Sequence, residues 1–308
     1  MSYNTQQLTK QVLDTLLKSN CANDLQIIII DNASKDDSVK MLKTEFPQLQ
    51  LIENKTNVGF GRANNQALPY IKGDYVLLLN TDAFVEFDTI EKTVSFMQAH
   101  PKVGILGAKL VGRDGVLQHS CRYFPTMTNL FLWRTNLAKL FKNVQLVDDM
   151  NWDHASVRYC DWVPGCYYLM QKKMIDQIGM FDPLYFLYYE EVDHCLSAKK
   201  AGWEVVYYPN TTVIHIGGES AKSEGAISNV SRQLVSLQIE SELLYFRKNH
   251  GLLTMLVHLV LNTMLDFLEM IKNILTLKKL ARHAPVLQHI NLSWKLCIKT
   301  KFGTVATR

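Results

Sequence analysis

LQIIIIDNASKDDSVKMLKTEF, residues 25–46, decides the fold. Four consecutive isoleucines, Ile27 to Ile30, make a short continuous apolar run of the kind buried on both faces of a parallel sheet. Polar and helix-forming residues follow at once. Ser34, three residues before Asp37, predicts a helix-capping box. The same rhythm extends outward. Upstream, Leu8, Val12, Leu13, Leu16 and Leu17 fall at helical spacing. Downstream, QLQLIEN (48–54) reads as a strand, GFGRANNQALPYI (59–71) as a glycine-led turn into a helix, and DYVLLLN (74–80) as a third strand. A helix to His100 and a strand at VGILGAKL (103–110) complete the series. Repeated β-α-β alternation predicts an α/β domain with a parallel sheet covered by helices.

Residues 113–160 break the rhythm. They mix Tyr123, Phe124, Phe131, Trp133 and Trp152 with Arg122, Arg134, Lys139 and Lys142, and show little periodicity. Long excursions in compact domains often carry function, and this one is expected on the binding side of the sheet. Order returns at DWVPGCYYLMQ (161–171). EEVDHCLSAKKAGW (190–203) predicts a helix closed by Gly202, EVVYYP (204–209) a strand ended by Pro209, and residues from about Ser231 to His250 a connecting helix.

With 308 residues, 47% hydrophobic and 20% charged, the chain can bury a core, which excludes a disordered tail, a collagen-like fibre and a disulfide-stapled miniprotein. The net charge of +4 hides a partition. Residues 251–308 hold eight basic and two acidic residues; the remaining 250 carry a net −2. The six cysteines show no C-x-x-C pair and are read as reduced thiols of a cytosolic protein. The polar start MSYNTQQLTKQ lacks the apolar segment of a secretory signal. No nucleic-acid partner is expected, and the oligomeric state is left open.

In open α/β sheets, ligands bind beyond the carboxyl ends of the strands. Asp31 follows the isoleucine run there, with a turn role equally open to it. Asp82, in Asn80-Thr81-Asp82 after VLLLN, can hold a hard divalent cation that also takes diphosphate oxygens; a turn or helix cap is the plainer alternative. Glu190, Glu191 and Asp193 crowd the first turn of a helix. The helix dipole accounts for one or two acids there, but crowded like charges also raise one another's pKa, as suits a catalytic base. His215, ending TTVIHIGG, is a plausible ligand beside a metal-binding Asp.

Together these motifs resemble the inverting family 2 glycosyltransferases of the GT-A fold, especially the bacterial rhamnosyltransferase-like branch. The resemblance rests on SYNT (2–5), DNAS (31–34), NVGFGRANN (57–65), LLLNTDAFV (77–85), RYFPT (122–126), WVPGCYYLM (162–170), IGMFDPLYFLYYEEVDHCL (178–196) and AGWEVVYYPNTTVIHIGG (201–218), in that order and spacing. It implies a Rossmann-like, mixed and mainly parallel sheet flanked by helices over residues 1–225, followed by a helical region, 226–308. It implies that Tyr3 and Asn4 line the nucleotide pocket and that Asp31 binds a pyrimidine base. Asn57, Gly59, Phe60, Gly61 and Asn65 would shape the nucleotide site, with Asn80 and Thr81 in the family's Asp-x-Asp or Asn-x-Asp turn. Asp82 and His215 would hold Mg2+ or Mn2+, and Gly165 would sit near the donor sugar or acceptor. Glu191 takes the second position of the family's Glu-Asp pair, the general base; because Glu replaces Asp there, Asp193 stays an alternative.

Family members usually open with an apolar strand before the SYN element. This chain begins at Met1-Ser2, so a central strand is expected to be missing from the sheet. Behind the body, ten of the fourteen residues from Leu252 to Leu265 are strongly apolar, and Lys278, Lys279, Arg282 and Trp294 follow. In-plane contact with an anionic membrane surface is the favoured reading of this tail, with packing or dimerisation and a true span as alternatives. The resemblance implies a UDP- or dTDP-linked sugar donor, a glycan or polyprenyl-linked acceptor, and a place on the cytoplasmic face of the bacterial inner membrane. The 122–162 excursion would hold such an acceptor or act as a lid. A non-catalytic scaffold that keeps the fold is the competing class. A nucleotidyltransferase ranks last, because the chain has no glycine- and basic-rich phosphate loop near its start.

Overall fold

The structure, a computed structural model, describes residues 1–141, 144–148, 152–217, 227–275 and 283–308. The chain divides into two compact units. The α/β unit comprises Met1–Phe124, Asp148–Pro183 and Glu190–Ile227; the helical unit comprises Pro125–Val147, Leu184–Tyr189 and Ser228–Arg308. The division therefore involves more than a single point near residue 225, which itself lies outside the described residues. Two earlier segments, one inside the aromatic excursion and one directly before Glu190, belong with the C-terminal helices.

In the α/β unit, α1 (Gln6–Leu17) buries Val12, Leu13 and Leu16, the stripe expected from its spacing. The isoleucine run becomes β1 (Ile28–Asp31), paired in parallel with β2 (Gln50–Glu53) across α2 (Ser38–Glu45). Leu13, Ile29, Met41, Leu42 and Phe46 close a small core under this pair. The capping box does not form. Ser34 Oγ accepts instead from the Asn4 backbone N–H at 2.9 Å, and the Ser34 N–H donates to Asp31 Oδ2 at 2.9 Å, so the segment turns sharply before α2 begins.

α3 (Phe60–Asn65) leads to a six-stranded sheet built from β3 (Tyr75–Leu79), β4 (Ala83–Val85), β5 (Val103–Val111), β6 (Arg158–Tyr159), β7 (Tyr167–Gln171) and β8 (Glu204–His215). Its order is β3-β7-β5-β8-β4, with β6 added beside β8. α4 (Thr89–Ala99) packs against this sheet's core, which includes Ile90, Met97, Leu106, Tyr167, Leu169 and Val206. The sheet is mixed, as expected, but its parallel share is smaller than the β-α-β rhythm implied. β5 and β8 run parallel, whereas β7 runs antiparallel to both β3 and β5. The chain between β5 and β7 returns through the long excursion, so no single helical crossover imposes a parallel neighbour. β8 also continues past Pro209. The register slips between Ala108 and Lys109, whose partners are Tyr208 and Thr212, and this bulge absorbs the proline without ending the strand.

Among the described residues, no strand pairing joins β1-β2 to the six-stranded sheet. Beside β1, Ser2 forms an isolated parallel bridge to Asp31; the Ser2 N–H donates to Ile30 O, and the Asn32 N–H to Ser2 O, each at 2.8 Å.

α5 (Met127–Thr135) starts the helical unit with a complete capping box between Thr126 and Asn129. α6 (Lys172–Ile178) and α7 (Glu190–Lys200) belong to the α/β unit. α8 (Ile227–Leu275) is broken at Gly251, which sits at φ 86°, ψ 173°, and α9 (His283–Lys299) follows. α8 contains the one stretch among the described residues long and apolar enough to cross a membrane, Arg232–Leu275.

Candidate functional site

The asparagine Asn32 organises the first half of the site. Only 1% exposed, it accepts at Oδ1 from Asn54 Nδ2 (3.1 Å) and from the Val58 N–H (3.0 Å), and donates through Nδ2 to Asn57 Oδ1 (2.8 Å). Asn57 Oδ1 in turn accepts from the Gly59 N–H at 3.0 Å. Gly59 lies at φ 91°, open to glycine and little else. Nearby, Asp31 Oδ1 is buried with no partner, while Oδ2 is engaged by Ser34. A buried acceptor left unmatched is costly, and an N–H of a bound base would match it. Asn4, at φ 52°, accepts from the Lys35 N–H, and Tyr3 beside it is half-buried.

Gly61 and Asn65 serve the site by packing. A Cβ on Gly61 would come within 3.0 Å of Phe181 Cβ and 3.7 Å of Glu190 Cβ, so the missing side chain lets α3 approach the start of α7. Both functions of the Asn65 amide are used by the Phe181 backbone, at 2.6 and 3.1 Å. Half-buried Phe60 places its ring against the backbone of Gly165, where a Cβ would meet it at 3.6 Å.

The Asn80-Thr81-Asp82 turn forms the second half. Its Asn80 N–H donates to Cys166 O at 3.0 Å, and Thr81 Oγ1 shares a 3.0 Å hydrogen bond with Thr5. Register places Ala83 opposite His215, and the Ile216 N–H donates to Asp82 O at 3.0 Å. Asp82 Oδ1 and His215 Nε2 therefore face each other at 3.7 Å. Gln118 fixes the imidazole. Its Nε2 donates to His215 O and its Oε1 lies 2.8 Å from Nδ1, so Nδ1 carries the proton and the Nε2 lone pair points to the carboxylate. Burial pushes the His215 pKa down against the pull of Asp82, which keeps the ring neutral. Two facing acceptors with space between them suit a divalent cation.

The carboxylates of α7 supply the third part. Glu190 is 3% exposed and Asp193 2%, while Glu191 is half-buried. Oε2 of Glu190 and Oε2 of Glu191 are both buried without a hydrogen-bond partner. Burial pushes the Glu190 carboxyl well above its usual range, and the charge of Glu191 adds to the shift. Burial also raises Glu191, opposed by Arg122 and by the backbone N–H groups of Glu191 and Gly165. Cys166 is raised to about 12, first by burial, with the charges of Asp82 and Glu191 adding to the shift. Asp193 lies about 200° around the helix from Glu191, on the opposite face.

Arg122, Gln118 and Asn32 were not singled out as site residues in the sequence. Arg122 stands in the RYFPT motif; its guanidinium stacks 4.2 Å over Trp162 and binds Asp148. Gln118 carries no motif. It is delivered by a turn at Gly112–Val116 that pairs Val111 with Leu117. Directly before α7, Tyr188 and Tyr189 lie at φ 71° and 68°, an uncommon pair of left-handed non-glycine residues.

A split α/β sheet with a carboxylate–imidazole pair and a buried acidic helix start at its strand ends defines a GT-A domain, the nucleotide-sugar transferase architecture. The chain belongs to glycosyl transferase family 2, whose model matches residues 1–156. Among curated relatives, the N-acetylglucosaminyl-diphospho-decaprenol L-rhamnosyltransferase of Mycobacterium tuberculosis is 25% identical over 211 residues, 62% of this chain and 66% of that protein. The chain thus spans just under two thirds of that relative. The rhamnosyltransferase WbbL of Escherichia coli K12 is 26% identical over 222 residues, 68% of this chain and 80% of WbbL. Among solved structures, the mannosyltransferase PcManGT of Pyrobaculum calidifontis, solved with GDP-Man and Mn2+, shares the fold at a TM-score of 0.53 and 16% identity, covering 98% of this chain and 85% of its own.

Proposed function

We propose that this protein is an inverting glycosyltransferase that moves a hexose, rhamnose by likeness to the two rhamnosyltransferases, from a UDP- or dTDP-sugar to a hydroxyl of a glycan or polyprenyl-linked glycan. The acceptor would be met at the cytoplasmic face of the bacterial inner membrane, in the synthesis of a surface polysaccharide such as O-antigen. The observation that carries the reading is the orphaned, buried Oε2 of Glu191 at the start of α7.

Asp31 Oδ1 accepts an N–H of the pyrimidine, and the Asn32-Asn57-Gly59 network holds the backbone close to the nucleotide. Glu190 stays protonated because burial and its neighbour's charge raise it, which leaves Glu191 as the member of the pair that ionises. Ionised Glu191 takes the proton from the acceptor hydroxyl as that oxygen attacks the anomeric carbon and the bond to the diphosphate breaks, inverting the centre. The charge of Arg122 favours the ionised form. Asp82 and neutral His215 are the residues that would hold Mg2+ or Mn2+, which when bound neutralises the departing diphosphate.

The test is calorimetry of UDP and dTDP with and without Mn2+, followed by transfer assays on Asp82→Ala and Glu191→Gln. Affinity that depends on the metal through Asp82, with transfer lost in Glu191→Gln, is expected. Metal-independent or absent nucleotide binding, with no turnover by the unaltered chain, would replace this reading by a non-catalytic scaffold.

A further inference from the structure

Beyond Gly251, α8 leaves an apolar face open. Its buried side is mixed: His258, Asp266 and Asn273, at 3%, 4% and 6% exposed, lie inside together with Met255, Leu259 and Leu265 at 0%, 2% and 6%. On the open face, Leu253, Val257, Val260, Met264, Phe267 and Ile271 are between 44% and 77% exposed. These six are spaced four, three, four, three and four residues apart, so at 100° per residue they fall in one arc roughly 80° wide. The charged residues of this half, Asp266, Glu269 and Lys272, all lie outside that arc. The buried polar side is satisfied internally. Arg134 of α5 donates to Asn262 Oδ1 at 2.9 Å and pairs with Asp266, whose other oxygen lies 2.7 Å from His289 Nδ1 of α9.

In water the hydrophobic effect drives the opposite arrangement. A wide apolar arc left open while His258, Asp266 and Asn273 are drawn inside is what a hydrocarbon surrounding selects. Charge supplies the second argument. From Met270 to Arg308 the chain holds eight Lys or Arg and no Asp or Glu, and Lys272, Lys295, Lys299 and Lys301 are exposed. Trp294, 38% exposed, adds the amphipathic ring favoured at a lipid–water boundary.

We propose that this face of α8 is a bilayer-docking surface, seated in the plane of the membrane with its apolar arc in the acyl boundary and the exposed lysines on anionic lipid phosphates. Taking a bilayer as the partner rests on the acceptor reading given above. A span is disfavoured because Asp266, Glu269 and Lys272 lie inside the segment and would be carried through hydrocarbon. A second copy is disfavoured because a helix–helix seam of this spacing is normally flanked by charged residues, whereas within about 40° of the arc's edges stand Leu256, Leu261 and Leu268 and no charged residue.

The experiment is flotation of the full chain with vesicles of phosphatidylglycerol and phosphatidylethanolamine, against pure phosphatidylcholine. The protein is expected to float with the anionic vesicles. The pair Met264→Glu and Phe267→Glu should weaken binding by at least about tenfold, while Lys295→Glu with Lys299→Glu should weaken it and flatten its salt dependence. Both variants must keep the helical circular dichroism and nucleotide affinity of the unaltered chain, so that loss of binding is not loss of fold. The proposal is overturned if the unaltered chain stays in the soluble fraction, if a folded Met264→Glu/Phe267→Glu variant floats unchanged, or if sedimentation shows a two-copy complex that this variant disperses. No turnover is read, so a chain that floats but transfers no sugar refutes only the catalytic reading, and the converse result refutes only this one.

Discussion

The two units bury their carboxylates in contrasting ways. In the α/β unit, an apolar core around Leu106, Leu169 and Val206 supports buried carboxylate oxygens that have no hydrogen-bond partner: Asp31 Oδ1, Glu190 Oε2 and Glu191 Oε2. In the helical unit, buried Asp266 has a partner on each side, Arg134 and His289, while an apolar arc of α8 faces outward. An unmatched oxygen is costly to keep and open to a new partner. A matched one ties helices together.

Five substitutions test that contrast. The largest effect is expected in the α/β unit. Glu191→Gln should cut transfer by about 10²–10⁴-fold, the usual contribution of a general base, whereas Glu190→Gln, isosteric with a carboxylic acid that is already protonated, should cost far less. Steady-state kinetics of the two variants decide it; equal losses would remove the division of labour between the two carboxylates. In the helical unit, Asp266→Leu leaves half-buried Arg134 without its counter-charge and should lower stability by ~1–3 kcal/mol in urea unfolding. Adding Arg134→Met should recover most of that loss, because a matched apolar pair replaces a matched ionic one.

Glu190→Gln also carries a stability prediction. The folded pKa of Glu190 is raised above its unfolded value of ~4.3. Its contribution is therefore complete below that pH and is lost as pH rises toward the folded pKa. Removing the titration should flatten the fall in thermal midpoint between pH 5 and 8 and raise the midpoint at pH 8 by a few degrees, read by calorimetry. The smallest effect is that of Tyr189→Phe, which deletes a 3.1 Å hydrogen bond to Glu242. A loss of about 1 kcal/mol is expected, together with faster hydrogen exchange in the first turn of α7.

Most of the α/β unit was legible because apolar period and turn residues act locally. The isoleucine run, the helical stripe of α1 and the Gly202 helix stop all reflect neighbours in sequence. What escaped is set by distant partners. Pro209 ought to end a strand, yet β8 continues because β5 offers a bulge in register. Ser34 ought to cap a helix, yet Asn4 and Asp31 claim it first. The same holds at the site. Asp82, His215 and Glu191 stand in motifs, whereas Gln118 reaches His215 across 97 positions of sequence, and no local pattern announces it. The open apolar face of α8 was hidden for a related reason: periodicity shows that a stripe exists, but only the positions of Arg134 and His289 show which side is inside.

The paired left-handed residues Tyr188 and Tyr189 bear on how readily this protein can be stabilised. Each holds a backbone conformation costing roughly 1–2 kcal/mol for a residue with a side chain, and helix α7 with its two glutamates begins at the next peptide bond. Glycine at position 188 would relieve that tension and so look attractive in any search for a hardier protein. It would also remove the rigidity with which the chain aims Glu190 and Glu191. At this joint, gains in melting temperature and gains in turnover are expected to point in opposite directions.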